Sequence, residues 1–263
     1  LSENKDLNIQ YNYIERAPDI AEMFSDGLHH ALASFEYGNP FLKKEKTHKI
    51  IINLEKKSGV FKYNLSPFIT SGKNYIIIEP SGFEQTIRGA FPVWEYSPYN
   101  VFFKGIDLDF SYNFNDYIKF KHNSSYVQGI NDDNNEALVG IPPLILNNQL
   151  SFYFSNWKKV FVSLFSKNVF QQKLFPNNNT VTSVFENGER VDKIVDVSTP
   201  PNGYHDLGVN FSFGPYKMSS FKMNVSLVID NVLNNKYRNY LNRLRFYSDE
   251  LGRNVMLQIK IQH

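Results

Sequence analysis

The chain has 263 residues, 16% of them aromatic and 21% charged, with 28 basic against 26 acidic side chains and no cysteine. That profile excludes a disulfide scaffold, a Cys-ligated zinc or iron–sulfur site and intrinsic disorder, because so much aromatic surface has to be packed somewhere. A formal net charge of +2 leaves no electrostatic footprint for nucleic acid.

The first residues carry neither a basic stretch nor an apolar core of a targeting signal. The expectation is either a mature protein or a piece of something longer. Nowhere does the chain approach the roughly 20 apolar residues that a spanning helix needs, the longest runs being 50–52 and 75–78. Instead a two-residue period dominates. It is clearest where Ile106, Leu108, Phe110, Tyr112 and Phe114 alternate with Gly105, Asp107, Asp109, Ser111 and Asn113, which makes one face apolar and the other polar. The same pattern predicts ten strands, near 6–15, 45–57, 59–78, 96–114, 117–129, 147–155, 158–172, 203–213, 220–231 and 252–262. One short helix is expected at 18–24, where Pro18, Asp19 and Glu22 suit a helix start.

The connections alternate in length. Short ones fall around Ser58 and at 115–116, 156–157 and 214–219; long ones at 16–44, 79–95, 130–146, 173–202 and 232–251. Hairpins with tight turns on one side and extended loops on the other are the layout of a transmembrane antiparallel β-barrel, with the turns facing the periplasm. Several strands reach the 9–11 residues that cross a bilayer at a tilt. Tyr96, Tyr99, Tyr112, Phe114, Tyr117, Trp157 and Phe213 fall near predicted strand ends, as an interfacial girdle would. Ile106, Leu108, Phe110, Leu207, Val209, Phe211, Val225, Leu227 and Ile229 are the expected lipid-facing set. Alternation alone leaves open whether ten strands close on themselves or form the last part of a wider barrel.

Three segments carry a family resemblance. The first holds Arg16, Pro18, Glu22, Phe24, Gly27, His29 and His30, followed by Phe35, Glu36, Tyr37, Gly38, Asn39, Pro40, Leu42 and Glu45. The second runs from Val139, Gly140, Ile141, Pro142 and Pro143 into Asn148 and Leu150. The third runs from Asp230, Asn231, Asn234 and Tyr237 through Arg243 and Tyr247 to Gly252, Arg253 and Asn254. In this order they resemble the C-terminal part of the barrel of TonB-dependent outer-membrane receptors, closest to receptors for metal ions such as zinc and for iron complexes. The resemblance implies a 22-stranded barrel whose plug and N-terminal strands lie outside this chain. It also implies a location in the bacterial outer membrane, in contact with lipid and lipopolysaccharide, and energy coupling through periplasmic TonB acting on the plug. Other outer-membrane proteins are further expected partners. The family usually ends on an aromatic residue, where this chain ends Ile261, Gln262, His263.

No phosphate loop, nucleophile elbow or His-Glu-x-x-His pair occurs, so no enzyme is expected and no cofactor, only a metal ion or metal chelate as cargo. Asp107 and Asp109 read as residues of a watery lumen. His29 and His30 are the candidate metal ligands, with Asp26, Glu22 and Glu36 near enough in sequence to complete a nitrogen and oxygen shell; solvated loop residues are the equally weighted alternative. Tyr240, Arg243, Arg245 and Tyr247 are the candidate contacts for an anionic, aromatic iron chelate, against the plainer reading of a rim of aromatics and a solvated loop. The leading functional reading is energy-coupled import of a metal ion or metal complex. The rival is a structural or assembly subunit of a multi-protein outer-membrane complex that keeps a receptor-like barrel.

Overall fold

The computed structural model describes residues 4–154, 160–218 and 220–262. Ten antiparallel strands form one continuous wall: β1 (Lys5–Arg16), β4 (Glu45–Lys56), β5 (Phe61–Thr86), β6 (Gly89–Asn113), β7 (Ile118–Asn131), β8 (Ile145–Phe154), β9 (Val160–Val169), β12 (Tyr204–Met218), β13 (Phe221–Asp230) and β14 (Asn254–Gln262). Each pairs with the next in that order, and among the described residues the sheet stays open between β1 and β14. All ten expected strands are present. Four further short strands lie inside the long connections: β2 (Asp26–His29), β3 (Ser34–Tyr37), β10 (Thr180–Glu186) and β11 (Glu189–Val195).

The register sorts the wall into two faces. Asp6, Glu55, Asn64, Asp109, Asn123, Asn147, Lys167 and Asp206 are successive cross-strand partners and make an unbroken polar row across eight strands. Within it Asn123 donates to Asp109 at 2.7 Å and Asn147 to Asn123 at 3.2 Å, and a recess of about 620 Å³ opens beside its members from Glu55 to Asp206. This is the lumenal face, and Asp107 and Asp109 lie on it as expected. The opposite face carries Leu7, Leu54, Leu65 and Leu108 as one cross-strand series, and Val162, Phe211, Leu227 and Leu257 as another. All nine residues expected to face lipid share it, half-buried except for exposed Ile106, and Leu164 on the same face is exposed as well. On the lumenal face the Phe68 ring lies over Gly105, where a Cβ would come within 2.5 Å of it and 2.7 Å of the Tyr126 carbonyl oxygen. A ring laid on a neighbouring strand's glycine fills the space that a missing side chain leaves in the pleat.

Two corrections concern the connections. The segment 79–95, read as a loop, is the continuation of β5 and β6, which turn only at Ile87 and Arg88. The reason is a pair of register shifts, between Gly72 and Tyr75 and between Pro80 and Gly82, each of which swaps the faces that alternate residues occupy. Tyr96 and Tyr99 consequently lie inside β6 and not at a strand end. The loop 173–202 contains the β10–β11 hairpin, turned by Asn187 and Gly188, both at positive φ. The expected helix is α1 (Ile20–Phe24); its cap is Asp19, whose backbone N–H donates to the Glu22 carboxylate at 2.7 Å, so Pro18 precedes the cap instead of opening the first turn.

Phe61, Tyr63, Phe110, Tyr112, Phe114 and Phe120 form a contiguous aromatic cluster above the tight turn at 114–117, the girdle expected at a membrane interface. Trp157 and the turn at 156–157 lie outside the described residues. An Arg on a lipid face costs roughly 2–4 kcal/mol at the bilayer midplane. Val209→Arg should therefore abolish the heat-modifiable mobility of the inserted barrel, whereas Asn210→Arg, one residue along on the lumenal face, should retain it.

Candidate functional site

The buried apolar residues, among them Leu42, Val93, Trp94, Val101, Leu138, Val197 and Tyr240, lie at the loop side of the wall and not at mid-wall. The extracellular connections thus have a core of their own, and it begins at Arg16. From the top of β1 this guanidinium donates to Glu45 at 2.6 Å and, through two nitrogens, to both oxygens of Glu22 at 2.9 Å. Bonds first to Glu45 and then to Glu22 raise its pKa above the usual guanidinium value. Buried Glu45 also accepts the Ile76 backbone N–H at 2.6 Å. One cation therefore fastens α1 to β4, and β4 to β5. At Gly38 the returning chain passes so close that a Cβ would lie 2.5 Å from the Met23 carbonyl carbon; here Gly38 donates to Ser25 at 2.7 Å and Asn39 to Glu22 at 2.8 Å.

Folded in this way, the 16–44 segment reaches β6. Its β3 pairs in parallel with the free edge there, Phe35 against Val93, Glu36 against Trp94 and Tyr37 against Glu95. The Tyr37 hydroxyl donates to Glu84, which with some burial pushes the phenol up to about 12.

The 232–251 segment starts at buried Asn231, whose side chain accepts from the Asn235 N–H at 2.8 Å and donates to the Asn235 carbonyl at 2.9 Å. Tyr237 then stacks on Tyr204 with centroids 4.0 Å apart. Asn242 accepts the Leu244 N–H at 2.9 Å and starts a single 3₁₀ turn, Arg243–Phe246. The two arginines of that turn part company. Arg245 is buried; it donates to the carbonyls of Tyr240 and Val197 and lies against the rings of Tyr240 and Phe246 at 4.9 and 4.5 Å. Burial lowers its pKa. Arg243 points the other way, 2.9 Å from the Glu36 carboxylate and 5.1 Å above the Trp94 ring. Tyr247 completes the junction by donating to the Ala33 carbonyl at 3.1 Å.

Of the residues singled out in the sequence, the structure brings Glu36, Arg243 and Tyr247 together where the two long loops meet. Tyr240 and Arg245 instead pack as a pair beneath them. Asp26, His29 and His30 are exposed on and beside β2. Glu22 and Glu36 are held by Arg16 and Arg243. Among the described residues no group of three or more His, Asp or Glu side chains is gathered as a metal shell. Trp94 escaped the sequence reading because it lies in a stretch taken for loop.

A wide antiparallel wall, lipid-facing on one side and polar on the other, with tight turns at one rim and folded loops over the other, defines an outer-membrane β-barrel. No helix among the described residues is long and apolar enough to cross a membrane. Residues 1–232 match the family described as TonB dependent receptor-like, beta-barrel, and the chain belongs to that family. The fold is similar to that of the copper transporter OprC (17% identity, TM-score 0.74, covering 98% of this chain and 37% of that one). It is also similar to the ferric enterobactin receptor PfeA of Pseudomonas aeruginosa, solved as a Q482A mutant in complex with enterobactin (16%, 0.68, 98% and 38%), and to the iron transporter FrpB of Neisseria meningitidis (18%, 0.62, 98% and 37%). This chain thus spans under two-fifths of the length of these structures. No curated protein sequence matches. The family is one of outer-membrane transporters and receptors.

Replacing Arg16 by Ala would leave Glu45 buried without its cation, a loss of about 1–3 kcal/mol or somewhat more for a charged acceptor. The expected outcome is faster hydrogen exchange and proteolysis confined to 17–44, with the strands of the wall still protected. Uniform exchange across loop and wall would show that Arg16 does not anchor this loop.

Proposed function

We propose that the chain is the C-terminal part of the wall of a receptor that imports a metal complex across the outer membrane, with the loops 16–44 and 232–251 forming part of its ligand-facing mouth. The plug, the remaining strands and coupling to TonB belong to the part of the receptor outside this chain. The observation that carries the reading is the junction at Arg243: a guanidinium set between a carboxylate and an indole face, at the meeting point of two extracellular loops. A fixed cation beside an aromatic face suits an anionic chelate with aromatic groups, which would pair with the guanidinium and stack on the ring. The proteins of similar fold, a copper transporter, a siderophore receptor with enterobactin bound and an iron transporter, support a metal or metal chelate as the cargo class.

The exposed pair His29 and His30 with Asp26 is the rival site for a bare ion, which would sit about 2.0–2.2 Å from its ligands. The two versions separate in uptake assays on the full receptor. Arg243→Ala with Tyr247→Phe should lower chelate uptake about tenfold or more, the loss of roughly 1.4 kcal/mol, and leave the barrel inserted. Replacing both histidines by Ala should leave chelate uptake unchanged. The opposite pattern, zinc or copper uptake lost with the histidines and intact without Arg243, assigns the site to β2. If neither change affects uptake of any metal, the ligand is held elsewhere in the receptor.

A further inference from the structure

The outward residues of β4 run Lys46, His48, Ile50, Ile52, Leu54 and Lys56, so two lysines bracket an apolar centre. Ten residues separate them, about 33 Å of strand and, at a tilt of about 40°, about 25 Å along the membrane normal. That is the height of a lipid-facing apolar band. Lys56 therefore marks the turn-side edge of the bilayer, beside its partner Tyr63, and Lys46 marks the loop-side edge. Tyr11 and Tyr13 of β1 stand just below Lys46 on the same face, both exposed, with the Tyr11 hydroxyl 2.8 Å from His48 Nδ1. Tyrosines at this level are interfacial anchors.

Positive charge gathers at the loop-side edge. Lys46 is the direct cross-strand partner of Lys73 on β5, and both are exposed on the outer face. Like charges set opposite each other in a sheet destabilise it, so the pair calls for an anion. Glu15, on the other side of Lys46, answers in part: it lies 3.5 Å from Lys46 and 3.8 Å from Lys44. The Tyr13 hydroxyl holds it there, donating to it at 2.7 Å. Among the described residues neither Lys73 nor Lys104 has a carboxylate partner. Lys104 is exposed on the outer face of β6 between Phe102 and Ile106. A lysine so placed lays its stem along the apolar wall and brings the amine up to the headgroups. Four amines and one carboxylate thus stand where the wall leaves the hydrocarbon.

We propose that Lys46, Lys73 and Lys104 form a binding site for the phosphorylated headgroup of lipopolysaccharide. Three features select that occupant. The first is charge: three amines on adjoining strands, two of them directly opposed, favour a ligand with more than one anionic group, and phosphates pair with lysine as point charges. The second is the surface below the amines. Ile50, Ile52, Leu65, Ile69 and Ile106 lie on the same outer face, so an anion that rests here has acyl chains to cover them. The third is side. These lysines lie at the loop rim, which faces outward, so the lipid belongs to the outer leaflet. The site is independent of the cargo, because it faces away from the lumen.

The test uses the intact receptor, purified in detergent and stripped of lipid. Lipopolysaccharide should bind the wild type. Lys46→Gln, Lys73→Gln and Lys104→Gln together should weaken that binding about a hundredfold, since each amine near a charged lipid surface is worth roughly fivefold. The same change at three lumenal lysines, Lys62, Lys119 and Lys121, should leave it unchanged. Dephosphorylated lipopolysaccharide and phosphatidylglycerol should both bind the wild type more weakly than intact lipopolysaccharide does. Heat-modifiable mobility shows that each variant is folded. Should the outer variant fail to fold, acetylation of the wild type decides: lipopolysaccharide should protect Lys46, Lys73 and Lys104 and leave exposed Lys236 on the last loop reactive. A wild type that binds no lipopolysaccharide, equal binding by the two triple variants, dephosphorylated lipid or phosphatidylglycerol bound as tightly as intact lipopolysaccharide, or wall lysines left unprotected overturns the proposal.

Discussion

In the hydrocarbon of a bilayer a backbone N–H or C=O without a partner costs several kcal/mol, and everything in this wall follows from meeting that demand strand to strand. Ten antiparallel neighbours satisfy one another, and the pleat then commits successive side chains to opposite environments. On the lumenal side an Asn or Asp can find water or a neighbouring amide, as Asp109, Asn123 and Asn147 do. On the lipid side only apolar groups are cheap, so Leu, Ile, Val and Phe predominate at every second position. Because each strand from β1 to β14 pairs with the next in a fixed register across the membrane band, a one-residue slip in any strand would turn its charged residues outward.

Beyond the loop-side rim the demand relaxes, and a different one takes over. The loops must be ordered by side chains, since no ladder spans them from end to end. Arg16 is where the change occurs: the last residue of β1 is also the first of the loop layer, and its bonds to Glu45 and Glu22 tie the two together. From there the segment can reach β6 and add β3 to an edge that β7 leaves free above Asn131. The buried residues Val93, Trp94, Val101 and Tyr240 follow from this arrangement. A core of ordinary protein type is possible only where water, not lipid, is the alternative.

What could be read in the sequence divides along the same line. The strands of the wall were legible because lipid and lumen impose a period of two on them, and their order followed from hairpin connectivity. The upper halves of β5 and β6 were not, because the register shifts at 72/75 and 80/82 invert the period and Pro80, Gly82 and Pro92 resemble loop. The β10–β11 hairpin had a local signal in Asn187–Gly188 at positive φ, but it lay inside a segment already set aside as connection. The parallel pairing of β3 with β6 had no local signal at all. It depends on Gly38 allowing the chain to double back, a contact between distant backbones.

The pair Arg243 and Arg245 shows why the candidate site was only half legible. Two residues apart in one 3₁₀ turn, they are the same chemical group in the sequence, and both suit an anion. In the structure they serve opposite purposes. Arg245 has spent its donors on the Tyr240 and Val197 carbonyls, sandwiched between rings, and its buried charge is satisfied by main chain alone. It therefore organises the loop and has no face left for a ligand. Arg243 is held by a single carboxylate that reaches it from a different loop. A guanidinium bound by main-chain carbonyls is fixed, because removing it strands those acceptors. One bound by Glu36 can exchange that carboxylate for another anion of similar shape. If Arg243 takes the anion as proposed, it does so with the group that joins the two loops, so an anion arriving there would also alter how the loops are held.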